Sequence, residues 1–113
     1  MKMTVHELAD DRVRVELDGR LDTVGAGEIE MPLTLATVTR ARHTIVDLHR
    51  VELLSSMGIR LLVSTAKALK SKQKKLVLLS PQVPVETALH DTGIDKILPI
   101  THDAKAAASL LDE

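Results

Sequence analysis

Cysteine is absent from this 113-residue chain, and so are phenylalanine, tyrosine and tryptophan. Without thiols there is no disulfide framework, no zinc–thiolate site and no cysteine nucleophile. Without aromatic rings there is no stacking platform for single-stranded nucleic acid, no aromatic cage and no interfacial aromatic belt. No apolar run approaches the length of a membrane span. The start, Met1-Lys2-Met3-Thr4, soon turns acidic instead of continuing into an apolar signal segment. These absences predict a cytoplasmic protein with no membrane insertion and no direct nucleic-acid contact.

What is present is aliphatic. Hydrophobic residues make up 44% of the chain, so Val, Ile, Leu, Met and Ala must build the whole core through many small contacts. The length suits one compact domain over residues 1–113. Fifteen Lys and Arg against sixteen Asp and Glu leave a net charge of −1, which points to no particular partner. One basic cluster stands apart: Lys67, Lys70, Lys72, Lys74 and Lys75. It reads as a solvated helix end complementing the dipole, with an acidic or phosphate partner as the alternative.

Periodicity lays out the elements. Met3–Leu8 gives a weak strand signal, and Arg12–Asp18 alternates cleanly, with Val13, Val15 and Leu17 on one face. Asp10-Asp11 supplies the turn of an antiparallel hairpin, and Gly19 is expected to end the second strand. Asp22 or Thr23 caps a helix running to about Thr39, with Ile29, Leu33 and Ala36 inward and Pro32 predicting a kink or late start. His43–Leu48 reads as a buried strand. A helix over Ser56–Ser71 follows, with Ile59, Leu62, Val63, Ala66 and Leu69 as its apolar stripe. Lys75–Ser80 suits a central parallel strand. Pro81 and Pro84 open a third helix that Gly93 closes. Ile97–Ile100 reads as an edge strand and Ala104–Leu111 as a last helix capped by Asp103. The order β-β-α-β-α-β-α-β-α predicts an α/β fold with right-handed crossovers and a mixed, mostly parallel sheet.

Several motifs carry no chemistry in this setting. Ser64-Thr65-Ala66-Lys67 fits an S-x-x-K pattern, but it lies mid-helix in a chain without the K-T-G partner. Gly25-Ala26-Gly27 lacks the third glycine of a dinucleotide loop. His43, Asp47 and His49 share strand parity, yet strand-end residues rarely stay aligned through a turn, so no metal site is expected. Nothing suggests a catalytic pair of carboxylates or a cofactor.

The informative stretch is Leu48–Leu62, L-H-R-V-E-L-L-S-S-M-G-I-R-L-L. A strand ends, a short loop passes through Leu53-Leu54, and two serines open an amphipathic helix. Ser55 suits the N-cap and Ser56 the first turn. Gly58 removes a side chain where a partner's backbone could approach. Spacing leaves two readings open: both serines merely cap the helix, or one is a modification switch. A phosphoserine there would gain about 0.3–1 kcal/mol from the dipole while adding about −1.5 to −2 charge to a neutral surface.

Four blocks in order carry a family resemblance: Gly19-Arg20-Leu21-Asp22-Thr23, Ile45-Val46-Asp47-Leu48 with Val51, Leu54-Ser55-Ser56-Met57-Gly58-Ile59-Arg60-Leu61-Leu62, and Ser80-Pro81-Gln82-Val83 with Leu89 and Thr92-Gly93-Ile94-Asp95-Lys96-Ile97. Together they resemble the STAS domain, the family of anti-sigma factor antagonists and of the cytoplasmic domains of sulphate transporters. The resemblance implies the STAS fold with an N-terminal hairpin and about four helices. An enzyme is the weakest reading, because Ser56 has no identifiable base beside it in the sequence, and no cofactor or metal is expected. The resemblance also implies a partner-switching role: binding a serine kinase of the histidine-kinase-like ATPase type that doubles as an anti-sigma factor. Phosphorylation of Ser56 would release that kinase, and a metal-dependent serine phosphatase would reverse it. The implied partner surface is Asp22, Asp47, Ser55, Ser56, Met57, Gly58, Ile59 and Arg60, with helix capping and a strand-end hydrogen bond as the alternatives for the two aspartates. Ser55 stands where many members carry Asp, and Leu53-Leu54 where an aromatic residue is frequent. Two other roles known in the family are a scaffold subunit of a larger signalling complex and an accessory subunit of a lipid transporter.

Overall fold

A computed structural model describes residues 1–113. Its elements are β1 (Lys2–Ala9), β2 (Arg12–Leu21), α1 (Thr23–Ala36), β3 (His43–Leu54), α2 (Ser56–Ser71), β4 (Leu76–Leu79), α3 (Val83–Asp91), a 3₁₀ turn (Ile94–Lys96), β5 (Ile100–Thr101) and α4 (Ala104–Asp112). The five strands form one sheet in the order β1-β2-β3-β4-β5. β1 and β2 pair antiparallel; every other neighbour is parallel.

Side chains alternate across this sheet and so divide the core. Val13, Val15 and Leu17 of β2, Val46 and Leu48 of β3, and Leu76 and Leu78 of β4 join residues of α1, α2 and α3 in a cluster of 20 buried residues. The opposite parity, Ile45, Val77 and Leu79, packs against Ala107 and Leu111 of α4 in a cluster of 5. α4 lies over β3, β4 and β5, while β2 turns Arg14, Glu16 and Asp18 to that same side. The core is leucine, valine, isoleucine and alanine. Methionine, expected among its builders, stays outside: Met31 and Met57 are exposed, and Met1 and Met3 only flank the large cluster.

Boundaries differ from the sequence reading for identifiable reasons. Gly19 does not end β2. It sits inside the strand at φ +122°, a conformation costly to other residues, and the register with β3 shifts beside it. The strand thus runs on to Leu21, pairing Arg20 with Leu53 and Leu21 with Leu54, so Leu53-Leu54 is strand and not loop. α1 starts at Thr23 and runs through Pro32 with no late start. It stops at Ala36 because the ladder slips: Thr39 N–H bonds the Thr34 carbonyl, and the buried Thr37 hydroxyl bonds that of Leu33. In α2 the apolar stripe is rotated towards Gly58, Leu61, Leu62, Thr65 and Leu69, with the Thr65 hydroxyl satisfied by the Leu61 carbonyl at 2.8 Å. The last strand lies later than Ile97–Ile100. After Gly93 (φ +76°) the chain winds a 3₁₀ turn in which Ile97 and Leu98 N–H groups bond the Ile94 carbonyl, so neither can be extended.

Candidate functional site

The end of β2 presents two consecutive carbonyls, and each docks the first turn of a helix. Asp22 caps α1, accepting from Gly25 N–H at 2.8 Å. Ser55 caps α2, accepting from Gly58 N–H at 3.3 Å. In both helices the third helical residue is glycine, and in both that glycine lies against β2. A Cβ on Gly25 would stand 2.1 Å from the Arg20 oxygen, and one on Gly58 would stand 2.4 Å from the Leu21 oxygen. The Leu21 carbonyl also accepts Ser55 N–H at 3.0 Å and the Ser55 hydroxyl at 3.1 Å. The sequence spacing Asp-x-x-Gly and Ser-x-x-Gly therefore brings two helix N-termini side by side at the carboxyl ends of parallel strands.

The two serines end in different situations. Ser55 is half-buried with its hydroxyl engaged on both sides. Ser56, the first residue of α2, is exposed, and its hydroxyl makes no hydrogen bond to the protein. Around it Met57 and Arg60 are exposed and Ile59 is half-buried. Met57 and Arg60 border a shallow cleft of about 320 Å³ whose other wall is α1, through Thr23, Ala26, Gly27 and Glu30. Sequence reading missed this wall. The one local signal was Gly27, a helical glycine on an exposed surface, where an added Cβ would meet nothing within 4 Å.

Two residues of the implied partner surface lie elsewhere. Gly58 is buried and faces Leu21 and Leu54 of its own chain, so its missing side chain accommodates β2 and not a partner's backbone. Asp47 shares the parity of Ile45 and points to the α4 side of the sheet, whereas the large core beneath α2 takes Val46 and Leu48. There it is buried, bonded to Arg14 Nη1 at 3.0 Å, His49 Nδ1 at 2.6 Å and His49 N–H at 3.1 Å. Asp22 stays near the serines at the α1 cap, and the Gly25 N–H bond chiefly holds its pKa below the ordinary carboxylate value.

Ligand atoms of Glu16, Asp47 and His49 lie within 4.8 Å of one another. The same carboxylates are shared with Arg14 and with Arg50, whose Nε is 3.6 Å from Glu16, which makes the group an ion-pair network. His43, of equal parity, is not part of it; its Nδ1 accepts Lys75 N–H at 3.1 Å. Burial, and after it the charge of Lys74, pushes the His43 pKa down. No helix is long and apolar enough to cross a membrane.

The sequence and the fold have known relatives. The STAS domain pattern matches residues 2–107. BtrV of Bordetella bronchiseptica, named as an anti-sigma factor antagonist, is 28% identical over 109 residues, covering 96% of this chain and 93% of its own. The crystal structure of an anti-sigma factor antagonist from Mycobacterium paratuberculosis superposes with a TM-score of 0.88 at 23% identity, over 99% of this chain and 94% of that one. The Bacillus cell-fate determinant SpoIIAA, solved in its phosphorylated form, superposes with a TM-score of 0.73 at 16% identity, over 96% and 99% of the two chains.

Proposed function

This chain belongs to the STAS domain family, and from that membership we propose that it is an anti-sigma factor antagonist switched by phosphorylation of Ser56. The reading rests above all on the contrast between the two serines. One is consumed as a cap, and its neighbour presents a free hydroxyl at an exposed helix N-terminus. A kinase can reach that hydroxyl without unfolding anything. The new phosphate meets the positive end of α2, so the domain tolerates it. A partner packed against Met57, Ile59 and the α1 wall would instead have to accommodate close to two negative charges in a surface that lacked them.

The partner in this reading is a serine kinase of the histidine-kinase-like ATPase type, acting as an anti-sigma factor, with a metal-dependent serine phosphatase restoring the free form. The protein contributes no catalytic residue; no general base stands beside Ser56. Asp22, Ser55, Met57, Ile59 and Arg60 form the contact surface, and Gly58 shapes it from within. With no aromatic side chain to offer, the interface relies on aliphatic and methionine contacts, and any aromatic anchor comes from the partner. Incubation with the cognate kinase and ATP, followed by mass spectrometry, is expected to add one phosphate, located at Ser56 and abolished in Ser56→Ala. Phosphate on Ser55 or Ser64, or none at all, would overturn the assignment, and the last result together with a stable hetero-assembly would favour a scaffold subunit.

A further inference from the structure

The basic cluster at the far end of α2 has a structural context that its sequence did not show. The 3₁₀ turn delays β5, which pairs only with Leu78 and Leu79. Beside the first half of β4 the edge of the sheet is left open, and a cleft of about 580 Å³ fills that place. Val63 and Ala66 of α2, Leu76 of β4, Leu110 of α4, and Leu98 and Pro99 ahead of β5 supply its apolar lining. Four lysines, Lys67, Lys70, Lys74 and Lys75, line it as well, against a single carboxylate residue, Glu113.

These lysines are not accounted for by the fold. The last carbonyls of α2 are already capped by the chain itself: Leu69 accepts the N–H groups of Lys72 and Lys74, and Lys70 accepts that of Gln73. Only Lys74 has a carboxylate neighbour, Asp11 at 3.9 Å. Lys72, which does not line the cleft, spends its ammonium on the Val38 carbonyl at 2.8 Å. Lys67, Lys70 and Lys75 remain as uncompensated cations around an apolar trough. The volume falls within the range of small-molecule sites, about 300–1,000 Å³, and the long lysine stems let the charge reach a head group while the chain lies below.

We propose that this cleft binds a single-chain anionic amphiphile, an alkyl carboxylate of about eight to twelve carbons. The chain lies along Val63, Ala66 and Leu110, with the buried Leu76 and Leu98 as the floor, and the carboxylate is held by Lys70 and Lys75. Such a ligand would occupy the end of α2 opposite Ser56, so the site stands independently of the phosphorylation reading.

Titration of the ¹⁵N-labelled protein with decanoate, below its micellar concentration, tests this. Saturable shifts are expected at Ala66, Leu76, Leu98 and Leu110, leaving Ser56 and Gly27 unmoved. Affinity should rise by up to roughly fourfold per methylene from octanoate upward and then level off once the cleft is filled. Decanol should bind at least about tenfold more weakly, and so should decanoate to Lys70→Glu/Lys75→Glu, since a charge-assisted contact is lost in each. Ala66→Leu fills the trough with every lysine retained and should also abolish the shifts. Absence of saturable shifts, equal binding of decanol, or shifts centred on the α1–α2 cleft would overturn the proposal. Vesicles of phosphatidylglycerol should leave the cleft resonances in place; if they reproduced the shifts, the ligand would be a membrane surface and the single-chain assignment would be wrong.

Discussion

Replacing Gly58 by alanine is expected to destabilise the protein, although alanine is the better helix former. The new Cβ would stand 2.4 Å from the Leu21 oxygen, 2.8 Å from Leu21 Cγ and 2.9 Å from Leu54 Cδ1. The first of these is backbone within a paired strand, so the first turn of α2 must lift away. Lifting it lengthens both bonds to the Leu21 carbonyl, from Ser55 N–H at 3.0 Å and from the Ser55 hydroxyl at 3.1 Å. Each is worth about 1 kcal/mol, and overpacking adds about 1–3 kcal/mol. Helix propensity returns at most about 1 kcal/mol. The net loss is about 2–4 kcal/mol, a fall in Tm of roughly 8–16 °C for a chain of this size. Gly25→Ala should fall in the same direction, because its Cβ meets the Arg20 carbonyl at 2.1 Å. Gly27→Ala, with nothing within 4 Å, should instead gain about 0.5–1 kcal/mol. Urea unfolding followed by far-UV circular dichroism measures all three; without aromatic residues, intrinsic fluorescence offers no signal. Gly58→Ala as stable as the parent, or Gly27→Ala falling with the others, would refute the docking of both helices on β2.

Three further outcomes are expected. Ser55→Ala should lose about 1 kcal/mol, as a lost N-cap does, while Ser56→Ala stays within about 0.5 kcal/mol of the parent; equal losses in urea unfolding would mean that Ser56 is also structural. Asp47→Asn should cost about 1–3 kcal/mol through its bonds to Arg14 and His49, yet leave partner affinity unchanged, since it faces the α4 side; calorimetric binding that weakens without loss of stability would contradict this. In an NMR titration of the histidine rings, His43 should titrate below its ordinary value of 6.5, mainly through burial, and His90 above it, mainly through its hydrogen bond to Asp95. The signs are opposite: the His43 contribution to stability is present above pH 6.5 and lost as pH falls, whereas that of His90 is present below 6.5 and lost as pH rises through its raised pKa. Asp95→Asn should return His90 towards 6.5, and a His43 midpoint at or above 6.5 would contradict its burial.

What local patterns could convey, they conveyed. The bounds of α2, the caps at Ser55 and Asp103, the hairpin and the parallel order follow from spacing and turn chemistry and are observed, and of the two candidates Asp22 and Thr23 it is Asp22 that caps α1. The misreadings needed a partner distant in the chain. Gly19 looks like a strand end until β3 is laid beside it and the bulge is absorbed by the register. Gly58 looks like a gap offered to a partner until Leu21 fills it. The α1 wall of the cleft, with Thr23 and Glu30, depends on how two helices pack, and the exposed helical Gly27 is its one mark in the sequence. Asp47 is a different matter. Its parity within Ile45-Val46-Asp47-Leu48 already set it opposite Val46 and Leu48, and only the resemblance drew it towards the serines. The aliphatic core expected from the lack of aromatic residues is observed, built by leucine, valine, isoleucine and alanine, with Met31 and Met57 left exposed.

Charge at Ser56 alone is expected to break an otherwise intact partner surface. The most direct measurement is the affinity of the cognate kinase for the parent protein, Ser56→Ala and Ser56→Asp, by isothermal titration calorimetry with folding checked by circular dichroism. The expected result is parent-like binding by Ser56→Ala and binding at least about tenfold weaker by Ser56→Asp, the scale of one uncompensated charge desolvated in an interface. Equal affinity of the two variants for the kinase, with both folded, would contradict the account.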